Sequence, residues 1–120
     1  MSRPLTATIW HERSHFMKVS YRIYDQGEDV LLAACDEELL GRTLEDEDIQ
    51  LKVKKDFYGG SMIDVTKRSD EERLHKQFKR STVANLVGEN VIDTATELGF
   101  GSEEDIMWIE GVPHLQIVRL

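Results

Sequence analysis

Cysteine is almost missing from this chain: Cys35 is alone among 120 residues. A single thiol cannot close an internal disulfide, and that usage fits a reducing cytoplasm. Long apolar runs are missing too. None approaches the ~18 residues that cross a bilayer, and no stretch reads as a signal peptide, so a helical membrane anchor is not expected. There is no internal repeat and no low-complexity linker, which argues against a solenoid or a string of modules. Neither GxGxxG nor GxxxxGK[ST] occurs, so dinucleotide and P-loop chemistry have no basis. Bases are outnumbered, 15 Lys and Arg against 23 Asp and Glu, for a net charge of −8. A simple nucleic-acid coat wants the opposite sign.

What is present suffices for one folded domain. A chain of 13.8 kDa can bury a modest core but not two. Its apolar fraction of 40% against 32% charged residues argues against disorder throughout. The charge is unevenly spread. Residues 25–50 hold ten acids and one base, Arg42, whereas residues 51–80 hold nine bases and five acids. Such a molecule can present one basic face while staying acidic overall.

Residues 1–16 differ from the rest, with Pro4, Trp10, His11, His15 and no clear period. They read as an extension, an arm or an early start, and two histidines without acidic or cysteine partners make a poor metal site. No metal or other cofactor is expected. The domain proper is read as residues 17–120. Val19, Tyr21 and Ile23 alternate with polar residues as in a half-buried strand, and VLLAAC, ending at Cys35, reads as its fully buried hairpin partner. Asp36 to Gly41 suggests one helical turn, with Asp36 as N-cap. The acid-rich residues 43–48 read as a solvated loop. Ile49, Leu51 and Val53 read as the inward side of a third strand, and FYGG as an aromatic-glycine turn.

Residues 69–99 carry the strongest helical pattern. Ser69 and Glu72 resemble a capping box, Leu74 and Phe78 start an apolar stripe, and Leu86, Val87, Val91, Ile92, Ala95 and Leu98 continue it to Gly99. The spacing predicts two tandem helices or one kinked at Gly88. Two short strands follow, residues 106–109 and 114–118, joined through Pro113. The fold class expected is α+β, a small mostly antiparallel sheet covered on one face by two or three helices.

Three groups could carry chemistry. Cys35 and His114 are the one nucleophile-plus-base pair, although the acids after Cys35 would raise its pKa and core packing explains it as well. Gly59 and Gly60 could let backbone amides approach a phosphate, or simply make a tight turn. Lys67, Arg68, Arg73, Lys76, Lys79 and Arg80 fall largely along one side of the expected helix, either paired with neighbouring acids or tracking phosphates. The consecutive acids, among them Glu37, Glu38 and residues 45–48, lack calcium-loop spacing and read as surface.

Four stretches taken together, CDEELLG, FYGG, STVANLVGENVI and GVPHLQIVRL, resemble the archaeal domain of unknown function 424 family over residues 17–120. The resemblance implies an intracellular archaeal protein with a compact α/β-type domain and transfers no catalytic residue. Three functions follow from this reading. The first is a non-enzymatic binding or adaptor domain for RNA or a protein of the translation apparatus, acting through Lys67 to Arg80 and the glycine turn. The second is a small enzyme using Cys35 and His114. The third is a structural subunit that assembles through an exposed sheet edge, the last strand being the candidate.

Overall fold

In the computed structural model, which describes residues 17–119, the chain opens with a hairpin whose strands differ as their sequences do. β1 (Lys18–Gln26) alternates, burying Val19 and Tyr21 and exposing Lys18 and Arg22. β2 (Asp29–Asp36) is buried on both faces: Leu32 and Ala34 join one core cluster, Ala33 and Cys35 another. A 3-10 turn (Glu37–Leu39), the hairpin β3 (Thr43–Asp46) and β4 (Ile49–Lys52), and the one-turn helix α1 (Lys55–Tyr58) follow. Next come β5 (Ser61–Asp64), α2 (Arg68–Arg80), β6 (Val83–Val87), α3 (Glu89–Glu97), a second 3-10 turn (Glu103–Asp105), β7 (Met107–Ile109) and β8 (Val112–Val118).

Six strands form one sheet in the order β5-β1-β2-β6-β8-β7, and β3-β4 form a second, small sheet. The large sheet is mixed. β2 and β6 run parallel, and the other neighbours pair antiparallel. With its helices this is an α+β fold.

Two cores flank the sheet. Leu74 and Phe78 of α2 and Val91, Ile92 and Ala95 of α3 pack with Leu32, Ala34, Leu86 and Leu115. Each of the leucine, isoleucine, valine and phenylalanine side chains, fully removed from water, contributes about 1.5–3 kcal/mol of hydrophobic stabilisation. On the opposite side Leu39, Leu44, Val53 and Tyr58 pack with Ala33, Cys35, Val87 and Ile109. Ser20, itself buried, ties that layer down by donating to the Tyr58 carbonyl at 2.9 Å and accepting the Gly60 N–H at 3.1 Å.

Several local readings change. The expected helical stretch is divided by β6, so Leu86 and Val87 belong to a central strand and not to a helix stripe. Residues 83–87 are too few to bury a helical face, and the ladder between Leu31–Cys35 of β2 and Val83–Val87 satisfies their backbone groups. α2 starts at Arg68 without a side-chain cap, so the Ser69–Glu72 capping box does not form. The acid-rich loop is strand β3, held by a single buried residue, Leu44. Ile49 is 42% exposed, and only Val53 of its expected inward row is fully buried. FYGG contributes Phe57 and Tyr58 to α1. The last strand lies between β6 and β7 in the sheet order, but β7 pairs only with its Val112–His114, and the terminal strands of that order are β5 and β7. The readings on residues 1–16 lie outside the described residues. Among the described residues no helix is long and apolar enough to cross a membrane.

Candidate functional site

β2 and β6 end side by side, at Asp36 and Val87, and α3 begins just beyond, with Gly88 as its N-cap residue. In parallel sheets the carboxyl ends of neighbouring strands commonly open into a ligand crevice, with the helix N-terminus offering free amides. Here the chain fills that place itself. Asp36 Oδ2 accepts the Asn90 N–H at 3.0 Å and Oδ1 accepts the Val91 N–H at 2.9 Å. Asp36, expected to cap the turn that follows it, makes no side-chain cap there and instead caps a helix more than fifty residues away. Gly88 makes the approach feasible. Its φ of +116° lies in the region that favours glycine, and a Cβ at this position would stand 2.4 Å from the Asp36 carboxyl carbon. Burial pushes the Asp36 carboxyl up to about 7, against the two amide bonds that pull it down; Glu38 and Glu89 push it further up.

A cleft of about 190 Å³ opens beside this cap, with Asp36, Glu38, Gly88, Glu89, Asn90 and Pro113 among its walls. Next to it lies a wider groove of about 360 Å³ lined by Glu89, Ile92, Asp93, Glu103, Ile106, Trp108 and Pro113. Glu89 and Pro113 line both, so the two adjoin. Trp108 pairs with Pro113 across the β7-β8 ladder, which places it on the side of the sheet carrying α3. The helical layer stops at α3, and Trp108, beyond it, is 56% exposed. The neighbouring Met107 is 47% exposed.

Both are acidic throughout. Between Arg80 and Arg119 the chain has no lysine or arginine but seven acids, Glu89, Asp93, Glu97, Glu103, Glu104, Asp105 and Glu110. That base-free stretch can be read directly from the sequence. Among the described residues no group of three or more His, Cys, Asp or Glu side chains is placed to hold a metal ion. The carboxylates rim a surface; they do not converge on a point.

The residues expected to act from sequence fall elsewhere. Cys35 is fully buried, and burial together with the Asp36 charge pushes its thiol up to about 12. His114 lies two strands away, in register with Val87, which in turn pairs with Cys35. Two strand spacings put the backbones about 10 Å apart, with the Val87 side chain on the same face between them. The geometry therefore does not assemble a Cys–His pair, and burial lowers the His114 pKa. Gly59 and Gly60 serve close packing: their amides bond the Lys55 carbonyl and Ser20 Oγ, and a Cβ on Gly60 would meet the Tyr21 carbonyl at 2.3 Å. Their N–H groups are committed and do not form a phosphate cradle.

All six basic residues lie on or just before α2. Arg68 pairs with Glu72 at 3.4 Å, Arg73 with Asp70 at 3.6 Å, and Arg80 with Asp25 at 2.7 Å. Lys67, Lys76 and Lys79 are exposed and form no ion pair with another described residue.

The family model for "Protein of unknown function (DUF424)" matches residues 23–120. The chain belongs to the DUF424 family. No curated protein matches it. It is similar to a solved structure titled as an uncharacterized conserved protein from Methanopyrus kandleri, with 26% identity and a TM-score of 0.70, covering 86% of this chain and 94% of that one. These likenesses bear out the resemblance read from the four motifs and bring no activity with them.

Proposed function

We propose that this DUF424 chain is a non-enzymatic adaptor of the archaeal cytoplasm, and that it docks a polypeptide in the groove beside α3. The observation that carries this reading is the open groove where the half-exposed Trp108 and the half-buried Ile106 stand beside Glu89 and Glu103. Large aromatic side chains in such positions are typical anchors of protein contacts. The chemistry-bearing candidates, by contrast, are withdrawn from solvent or from each other, as Cys35 and His114 are.

A second reading, RNA binding on α2, rests on Lys67, Lys76 and Lys79. Three of the six expected contacts are already engaged with acids, which lowers the charge available to phosphates. Recovery of the tagged protein from an archaeal host, with and without ribonuclease and at two salt concentrations, separates the readings. The adaptor reading expects a polypeptide that survives ribonuclease and is lost with Trp108→Ala; its identity will say whether the translation apparatus is involved. Recovery of RNA that Lys76→Glu/Lys79→Glu abolishes would replace this reading with the second.

A further inference from the structure

The groove also states what its occupant must look like. Its accessible apolar surface comes from Trp108 and the half-buried Ile106, over the buried Ile92 and Pro113, and its rim is acidic, contributed by Glu89, Asp93 and Glu103. Glu89 and Glu103 are exposed, so their charge faces whatever enters. The nearest bases in sequence are Arg80 and Arg119. Both are committed elsewhere, Arg80 to Asp25 and Arg119 to the Phe78 and Lys79 carbonyls at the end of α2.

Resting on the adaptor reading, we infer that the groove receives a basic amphipathic segment of another polypeptide, with an arginine or lysine over the Trp108 ring. Apolar side chains of that segment sit on Ile106 and the Trp108 ring, and its cations meet Glu89 and Glu103. An indole face is the best of the aromatic partners for a cation, and guanidinium groups also stack on it. A like-charged segment is repelled by the same rim, which gives the groove its selectivity. A nucleic acid is repelled as well.

The test uses the full chain with Trp10→Phe, which leaves Trp108 as its single tryptophan. The probes are two acetylated twelve-residue peptides with leucines at helical spacing, one with arginines at the remaining positions and one with glutamates. The arginine peptide should shift the Trp108 emission and saturate, with an affinity that falls as salt rises. Glu89→Gln/Glu103→Gln should weaken it about five-fold or more, as expected for two rim charges. Replacing Trp108 with alanine, read by calorimetry, should weaken it about ten-fold or more, as for an anchor residue. Lys76→Glu/Lys79→Glu should leave it within two-fold, on the order of experimental scatter for a site not contacted. Glu89 and Glu103 are exposed, so the double variant should keep the native circular dichroism spectrum. Equal binding of both peptides, no binding of the arginine peptide, or full binding by the double variant overturns the inference. In those cases the adaptor reading stands or falls separately on the host recovery.

Discussion

α2 and α3 lie in one layer over the same sheet, yet they are finished in opposite ways. α2 ends in Lys79 and Arg80, and Arg119 donates to its terminal carbonyls from Phe78 at 2.8 Å and Lys79 at 3.4 Å. α3 starts against a carboxylate, Asp36, brought from β2. Arg119 follows the helix dipole as a cation at the C-terminus, and Asp36 satisfies the free amides at the N-terminus with its two carboxyl oxygens. The consequence for function differs. The bases of α2 are divided between ion pairs and solvent, whereas the acids around α3 rim an apolar groove with no arginine or lysine in their stretch of chain. A charge cluster in a sequence becomes a recognition surface only after its intramolecular partners are counted, and that count is the ground for proposing the groove beside α3 over the basic face of α2.

The comparison breaks most easily at Gly88. Gly88→Ala places a Cβ at 2.4 Å from the Asp36 carboxyl carbon on a backbone with φ of +116°. Steric conflict plus an unfavourable backbone should cost about 3 kcal/mol or more, measured as lost stability in urea, or prevent folding. An alanine at Gly27, where a Cβ would meet nothing within 4 Å, is the matching control for backbone strain alone.

Asp36→Asn comes next, at about 1–2 kcal/mol, because an amide can accept one of the two α3 N–H groups but not both. Its pH dependence sharpens the assignment. The folded carboxyl sits near 7, above its ordinary value of 3.8, so between those values the native state holds a proton that the unfolded chain has released. Wild-type stability relative to Asp36→Asn should therefore be greatest below about pH 4, decline as pH rises toward 7, and level off above it. A wild-type advantage that grows over that interval would mean that the two amide bonds dominate burial.

The smallest effect belongs to α2. Arg80→Ala removes the Asp25 pair, whose side chains are 46% and 54% exposed, and solvent screening should hold the cost to about 0.5 kcal/mol. A much larger loss would show α2 to be pinned as firmly as α3.

Much of the scaffold could be read locally. The alternation of Val19, Tyr21 and Ile23 and the apolar run to Cys35 specify the first hairpin, because period-two burial is a local property. The ends of the helical layer were legible for the same reason, in Leu74 and Phe78 on one side and Val91, Ile92 and Ala95 on the other. β6 was hidden because Leu86 and Val87 fall where a helical stripe would continue; only the ladder with β2, absent from any local window, decides between the two periods. β3 was hidden because one apolar residue, Leu44, supplies its entire buried side. The site was harder still. Asp36 reaches α3 across 54 positions, and no spacing rule connects them. The lack of lysine and arginine between Arg80 and Arg119 was visible throughout, but a count of bases draws attention to where they are and away from where they are missing.

The most direct test of the central claim, that the working surface lies beside α3 and not on α2, is a residue-resolved one. Amide chemical shifts of the labelled full chain would be followed while the arginine-leucine peptide is added. The account predicts movement confined to residues 88–93 and 103–113, including the Trp108 indole N–H, with α2 unmoved. Shifts concentrated on Lys67, Lys76 and Lys79, or none at saturating peptide, would contradict it.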